Sequence, residues 1–171
     1  MKGHGGVIEV ESERGKGTSF KVLLPAAESP GSLDAVEPPL ARGHERILVV
    51  DDEAGLAAAM GHMLESLGYE TLCRTSSTEA LETFLNQPGN QPFDLVITDM
   101  TMPSMTGLGF ARELLRLKPE LPIIICTGFS EHIGPERIEK LGIKGFLMKP
   151  VTLRDLAVLV RKVLDDTAMM S

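Results

Sequence analysis

The 171-residue sequence has no tryptophan, one tyrosine and six phenylalanines, an aromatic share of 4%. That scarcity argues against the stacked aromatic platforms that hold single-stranded nucleic acid. Basic residues are also in deficit, 17 against 24 acidic, for a formal charge of −7. Broad neutralisation of a phosphate backbone is therefore excluded, and an acidic cleft that draws in a divalent cation is favoured. No apolar run approaches a membrane span, and no signal-peptide pattern opens the chain. Cys73 and Cys126 are the only cysteines, with neither a CxxC pair nor a histidine-rich spacing near them. Both fall inside predicted strands and are expected to be buried, reduced thiols of a cytoplasmic protein. What is present is ordinary core material, 43% hydrophobic, in a length that suits one domain with an appendage.

Composition divides the chain into three zones. In residues 1–25, Ile8 and Val10 alternate with Glu9 and Glu11, and Phe20, Val22 and Leu24 alternate with Ser19 and Lys21, on either side of the glycine-rich "ERGKG". Period-two patterning around a glycine turn predicts a β-hairpin. Residues 26–43, "AAESPGSLDAVEPPLARG", have no periodicity and are rich in Pro, Gly and Ser, as in a flexible linker.

Residues 44–171 alternate apolar runs with helical patterns. The strands are "RILVVD", "YETLCR", "FDLVITD", "PIIICT" and "GFLMK". Helices are predicted after each: one with Leu56, Met60, Met63, Leu64 and Leu67 as its apolar stripe, then Ser77 to Leu85, Gly107 to Leu117, a short one near Pro135 to Leu141, and "TLRDLAVLVRKVLDD". Five strands alternating with five helices imply a doubly wound α/β fold around a parallel sheet, in the flavodoxin-like order 2-1-3-4-5.

Ligands in such folds gather beyond the carboxyl ends of the strands, where strand order reverses. The first strand ends at Asp51 and Asp52, the third at Asp99, the fourth at Thr127 and the fifth at Lys149. The first and third strands would be neighbours, so three carboxylates should converge. Their mutual repulsion is relieved by a cation, and oxygen-only donors select Mg²⁺, with Mn²⁺ as the alternative, over Zn²⁺. Lys149 adds a point charge suited to phosphate and Thr127 a hydroxyl. Together these groups suit phosphoryl transfer to an aspartate. Each has a plainer reading alone: the Asp pair as a solvated turn, Asp99 as an Asx-turn, Thr127 as a cap, Lys149–Pro150 as a surface turn. The four tips in the required order outweigh those readings.

"VVDDE", "DMTMPSMTG", "CTG" and "FLMKP" together resemble the receiver domain of bacterial response regulators. The resemblance implies that Asp99 accepts the phosphoryl group, that Asp52 binds Mg²⁺ directly and Asp51 mainly through water, and that the Thr101 carbonyl completes the protein ligands. Thr127 and Lys149 would contact the acyl phosphate, and Phe146 holds the position of the receivers' aromatic switch. Pro103 and Gly107 would shape the loop after Asp99, Gly128 would leave the phosphoryl group accessible, and the Lys149–Pro150 bond would be cis. Asp94, at the opposite end of its strand, would take no part.

"HGGVIEVESERGKGTSFKVLLP" resembles the final hairpin of the ATP-binding domain of sensor histidine kinases. It lacks the phosphate-loop pattern GxxxxGK[ST], and His4, His44, His62 and His132 lack the context of a phosphorylatable histidine. The expectation is the C-terminal part of a hybrid histidine kinase, or the product of a late start. Its partners would be a phosphohistidine donor domain or a histidine phosphotransfer protein, with no nucleic acid and no direct membrane contact, and with dimerisation left open. As an enzyme it would show slow self-dephosphorylation at most. The competing readings are an aspartate-nucleophile phosphatase of the haloacid dehalogenase type, which would place two acids as DxD on one strand, and a non-signalling interaction module.

Overall fold

The computed structural model describes residues 6–25, 39–87, 92–128 and 142–169. The expected short helix near 135–141, and residues 26–38 of the expected linker, lie outside the described residues. The chain forms two compact units, Met1–Pro38 and Pro39–Ser171.

In the first unit, β1 (Val7–Glu13) and β2 (Gly17–Leu23) pair antiparallel in the register Val10↔Phe20 and Ile8↔Val22. Gly15 and Gly17 carry the positive φ angles that the connecting turn requires, 85° and 104°. Val10, Phe20, Ile8 and Val22 share one face by the alternation of the pleat. Every residue of both strands is exposed.

In the second unit, five parallel strands alternate with helices: β3 (Arg46–Val50), α1 (Ala54–Ser66), β4 (Glu70–Arg74), α2 (Ser77–Leu85), β5 (Leu95–Asp99), α3 (Gly107–Leu117), β6 (Ile123–Thr127), β7 (Gly145–Met148) and α4 (Leu153–Ala168). The sheet order is β4-β3-β5-β6-β7, the expected doubly wound order. β5 and β6 are buried at every residue, as continuous apolar runs covered on both faces should be. One apolar cluster, with Ile47, Val49, Leu64, Ile97 and Leu156, packs α1 and α4 on one face. A second, with Leu48, Val50, Phe84, Phe110 and Ile125, packs α2 and α3 on the other.

Two sequence expectations need correction. The buried stripe of α1 is Ala57, Met60, Gly61 and Leu64, whereas Leu56 is 39% exposed. Small residues set that face: a Cβ at Gly61 would lie 2.8 Å from the Cys73 sulfur, so α1 can approach β4 only along its glycine and alanine side. Cys73 itself is half-buried, because β4 is an edge strand, while Cys126 in β6 is buried as expected. Both thiols are free.

Candidate functional site

Parallel strands deliver their last residues to one edge of the sheet, and here the order β3-β5-β6-β7 sets Asp51, Asp99, Thr127 and Lys149 side by side. Pairing within the sheet fixes the heights: Asp99 stands opposite Cys126, and Thr127 opposite Met148. Backbone bonds continue the ladder past the strands, from Met100 N to Cys126 O at 2.9 Å and from Lys149 N to Thr127 O at 2.9 Å. The Lys149–Pro150 bond is cis, as expected.

The Lys149 ammonium lies 2.8 Å from Asp51 Oδ2 and 2.6 Å from Asp99 Oδ1. The remaining oxygens of the two carboxylates take backbone donors. Glu53 N donates to Asp51 Oδ1 at 3.0 Å, and Thr101 N to Asp99 Oδ2 at 2.7 Å. Asp51 and Asp99 are 2% and 7% exposed, so these bonds replace lost water. Burial alone would pull the Lys149 pKa down. Hydrogen bonds and charge attraction from Asp51 and Asp99 outweigh it and push the ammonium above the ordinary lysine range.

Thr127 is buried at the tip of β6, where its hydroxyl donates to Gly128 O at 3.3 Å. Among the described residues, nothing lies within 4 Å of where a Cβ on Gly128 would stand. Phe146 on β7 is half-buried and packs on the cluster beneath α2 and α3. Asp94 sits at the opposite end of β5 and accepts from Arg46 N at 2.8 Å, away from the site as expected.

Of the three acids expected to converge, the structure brings Asp51 and Asp99 to one cation, while Asp52 is exposed at the turn into α1. Among the described residues, no three His, Cys, Asp or Glu side chains are grouped to hold a metal. The ammonium of Lys149 stands between the two inward carboxylates. The donors present are nonetheless all hard oxygens, and two of them already face a single positive charge, so their chemistry suits a small divalent cation.

One contributor escaped the sequence reading: the Glu53 amide on Asp51, which an Asx-turn two residues after an aspartate could have suggested. Gly107, expected to shape the loop after Asp99, lies at the start of α3. A Cβ there would collide with the carbonyl oxygen of Asp99, so the loop expected to be shaped by Gly107 depends on direct backbone contact with the aspartate. Gly107 N also donates to Met100 O at 2.9 Å.

A family model for the response regulator receiver domain matches residues 47–161. The sensor kinase CckA of Brucella abortus is 32% identical over 175 aligned residues, which cover 96% of this chain and 18% of that protein. The transcriptional regulatory protein ZraR of Escherichia coli K12 is 32% identical over 121 residues, 71% of this chain and 26% of its own. The chain thus spans well under half the length of either. Among solved structures, a response regulator receiver domain protein from Clostridium thermocellum is 33% identical with a TM-score of 0.69, covering 74% of this chain and 99% of that one. A CheY-like receiver domain protein from Methanospirillum hungatei is 27% identical with a TM-score of 0.66, covering 75% and 100%. With the family model spanning most of the chain and the strand-tip geometry in agreement, this protein belongs to the response regulator receiver domain family of two-component systems.

Proposed function

We propose that Asp99 is the phosphoryl acceptor of a phosphorelay. The observation that carries this reading is the single ammonium shared by Asp51 and Asp99 at the carboxyl ends of neighbouring strands. A carboxylate oxygen of Asp99 attacks the phosphorus of a phosphohistidine. The P–N bond breaks, its electron pair stays on the imidazole nitrogen, and a mixed anhydride remains on Asp99. Lys149 stabilises the charge on the transferring oxygens, and the Thr127 hydroxyl donates to them. Receivers typically bind Mg²⁺. Here Asp51, Asp52, Asp99 and the Thr101 carbonyl would hold it, and it would supply charge neutralisation for the incoming phosphoryl group. Phe146 then turns inward as Thr127 is drawn to the phosphoryl group.

Receiver domains work with histidine kinases and phosphotransfer proteins, and we place this one in a hybrid histidine kinase, in the cytoplasm. The similarity to a sensor kinase runs over 96% of the chain and so extends beyond the receiver match at residues 47–161 into the hairpin unit. No helix among the described residues is long and apolar enough to cross a membrane.

The test is incubation with acetyl phosphate and Mg²⁺ followed by intact-mass measurement. The wild type should gain one phosphoryl group and Asp99→Ala none. An adduct that persists in Asp99→Ala would reassign the acceptor.

A further inference from the structure

At the edge of the sheet opposite Asp99, residues 40–45 are bound to the body of the receiver. Leu40 packs against the cluster beneath α1 and α4. Gly43 N donates to Leu67 O at 3.2 Å, and Glu70 N to Glu45 O at 3.0 Å. Gly43 has no room for a side chain, since a Cβ would strike both Glu45 Oε2 and the buried Tyr69 ring. Arg161 of α4 closes the arrangement. Its Nη2 lies 2.8 Å from Glu45 Oε1 and its Nε 2.9 Å from Asp165 Oδ1, while His44 N donates to Glu45 Oε2 at 2.9 Å. Arg161 and Glu45 side chains are only 23% and 20% exposed.

The same helix begins beside the acceptor. Only Pro150 and Val151 separate Lys149 from Thr152, whose hydroxyl caps α4 by accepting from Asp155 N at 3.1 Å. The 16 residues of α4 bury Leu156, Ala157, Val160, Val163 and Leu164 against the sheet, which makes it one rigid body about 24 Å long. A shift at its start therefore reaches Arg161, roughly 12 Å further along.

We propose that α4 carries the phosphorylation state of Asp99 to the strap of residues 40–45 through the Arg161–Glu45 ion pair. This rests on Asp99 as the acceptor. Before phosphorylation, Lys149 is held by Asp51 and Asp99. The anhydride removes one carboxylate charge and offers phosphoryl oxygens instead. Lys149 follows them, α4 is re-seated, and the hold of Arg161 on Glu45 changes. By linkage, loosening the strap alters the anhydride's stability in return.

Hydrogen exchange on the full chain tests this, with acetyl phosphate and Mg²⁺ against Mg²⁺ alone and the adduct followed by intact mass. In the wild type, exchange in residues 40–46 should change by at least about twofold on phosphorylation. In Arg161→Gln the adduct should still form while the change in exchange is lost. Glu45→Gln should reproduce that result and serves if Arg161→Gln does not fold. An adduct with unchanged wild-type exchange, or a change that survives both substitutions, would overturn the proposal alone. Absence of any adduct would overturn the acceptor assignment and this proposal with it.

Discussion

Lys149 and Asp99 are joined at 2.6 Å over the end of β6, the strand between theirs, and that ammonium also holds Asp51 at 2.8 Å. A lysine shared by two buried carboxylates satisfies the site electrostatically, and Thr101 N orients the side chain of Asp99. Stability and chemistry therefore depend on the same side chain.

Replacing Lys149 with methionine keeps the bulk of the stem and removes the charge. Asp51 and Asp99 then face each other without a cation, and urea unfolding in the absence of divalent ions should show a loss of about 2 kcal/mol. Adduct formation from acetyl phosphate should slow by about a hundredfold, since a charge aimed at the transferring oxygens is gone. An adduct time course matching the wild type would contradict the role given to Lys149.

Gly107→Ala places a methyl group against the carbonyl of Asp99. The strand tip and the start of α3 must separate, at a cost of about 1–3 kcal/mol. Denaturant unfolding measures that cost, and adduct formation should slow because Asp99 is displaced. Gly128→Ala meets none of the described residues within 4 Å of its Cβ and should leave stability within about 0.5 kcal/mol of wild type.

The Arg161–Glu45 pair predicts a pH dependence. Burial would raise the Glu45 pKa, but the Arg161 hydrogen bond and charge, with backbone donors at Glu45 and His44, outweigh it and hold the carboxyl below its ordinary value. A depressed folded-state pKa gives stability that is present above the unfolded value, about 4.3, and lost as pH falls through the folded value. The stability difference between wild type and Glu45→Gln should be about 0.5–1 kcal/mol near neutral pH and should vanish in acid below that window. A difference that stays constant into acid would show that the pair contributes nothing.

Burial pushes the Cys126 thiol up to about 12, with Lys149 pulling it down and Asp99 and Asp51 adding to the rise. At pH 8 roughly one molecule in ten thousand would carry the thiolate that reacts. In a Cys73→Ala background, an aromatic disulfide reagent should therefore label the protein only after denaturant is added. Rapid labelling of the folded protein would mean that β6 opens locally.

The strand tips were legible in the sequence because they need only two local facts: where a buried apolar run ends, and which polar residue follows it. Asp99, Thr127 and Lys149 are read that way, and strand order follows from the handedness of crossovers. The strand pattern alone did not separate Asp51 from Asp52, which only the family resemblance distinguished, because adjacent residues in a strand-to-helix turn point in different directions and nothing local says which one faces Lys149. The α1 stripe was misread at Leu56 because hydrophobic spacing does not report how closely a helix approaches its sheet, and Gly61 and Ala57 decide that here.

What the sequence determined by itself is the alternation of strands and helices and the chemistry at the strand ends, since both arise from periodicity and chain direction. Only the tertiary structure decided that one ammonium binds two carboxylates, that Gly107 packs against the Asp99 carbonyl, and that Arg161 reaches back to Glu45. Those contacts join residues far apart in the chain, and their geometry is set by how helices seat on the sheet, which depends on the fit of whole faces.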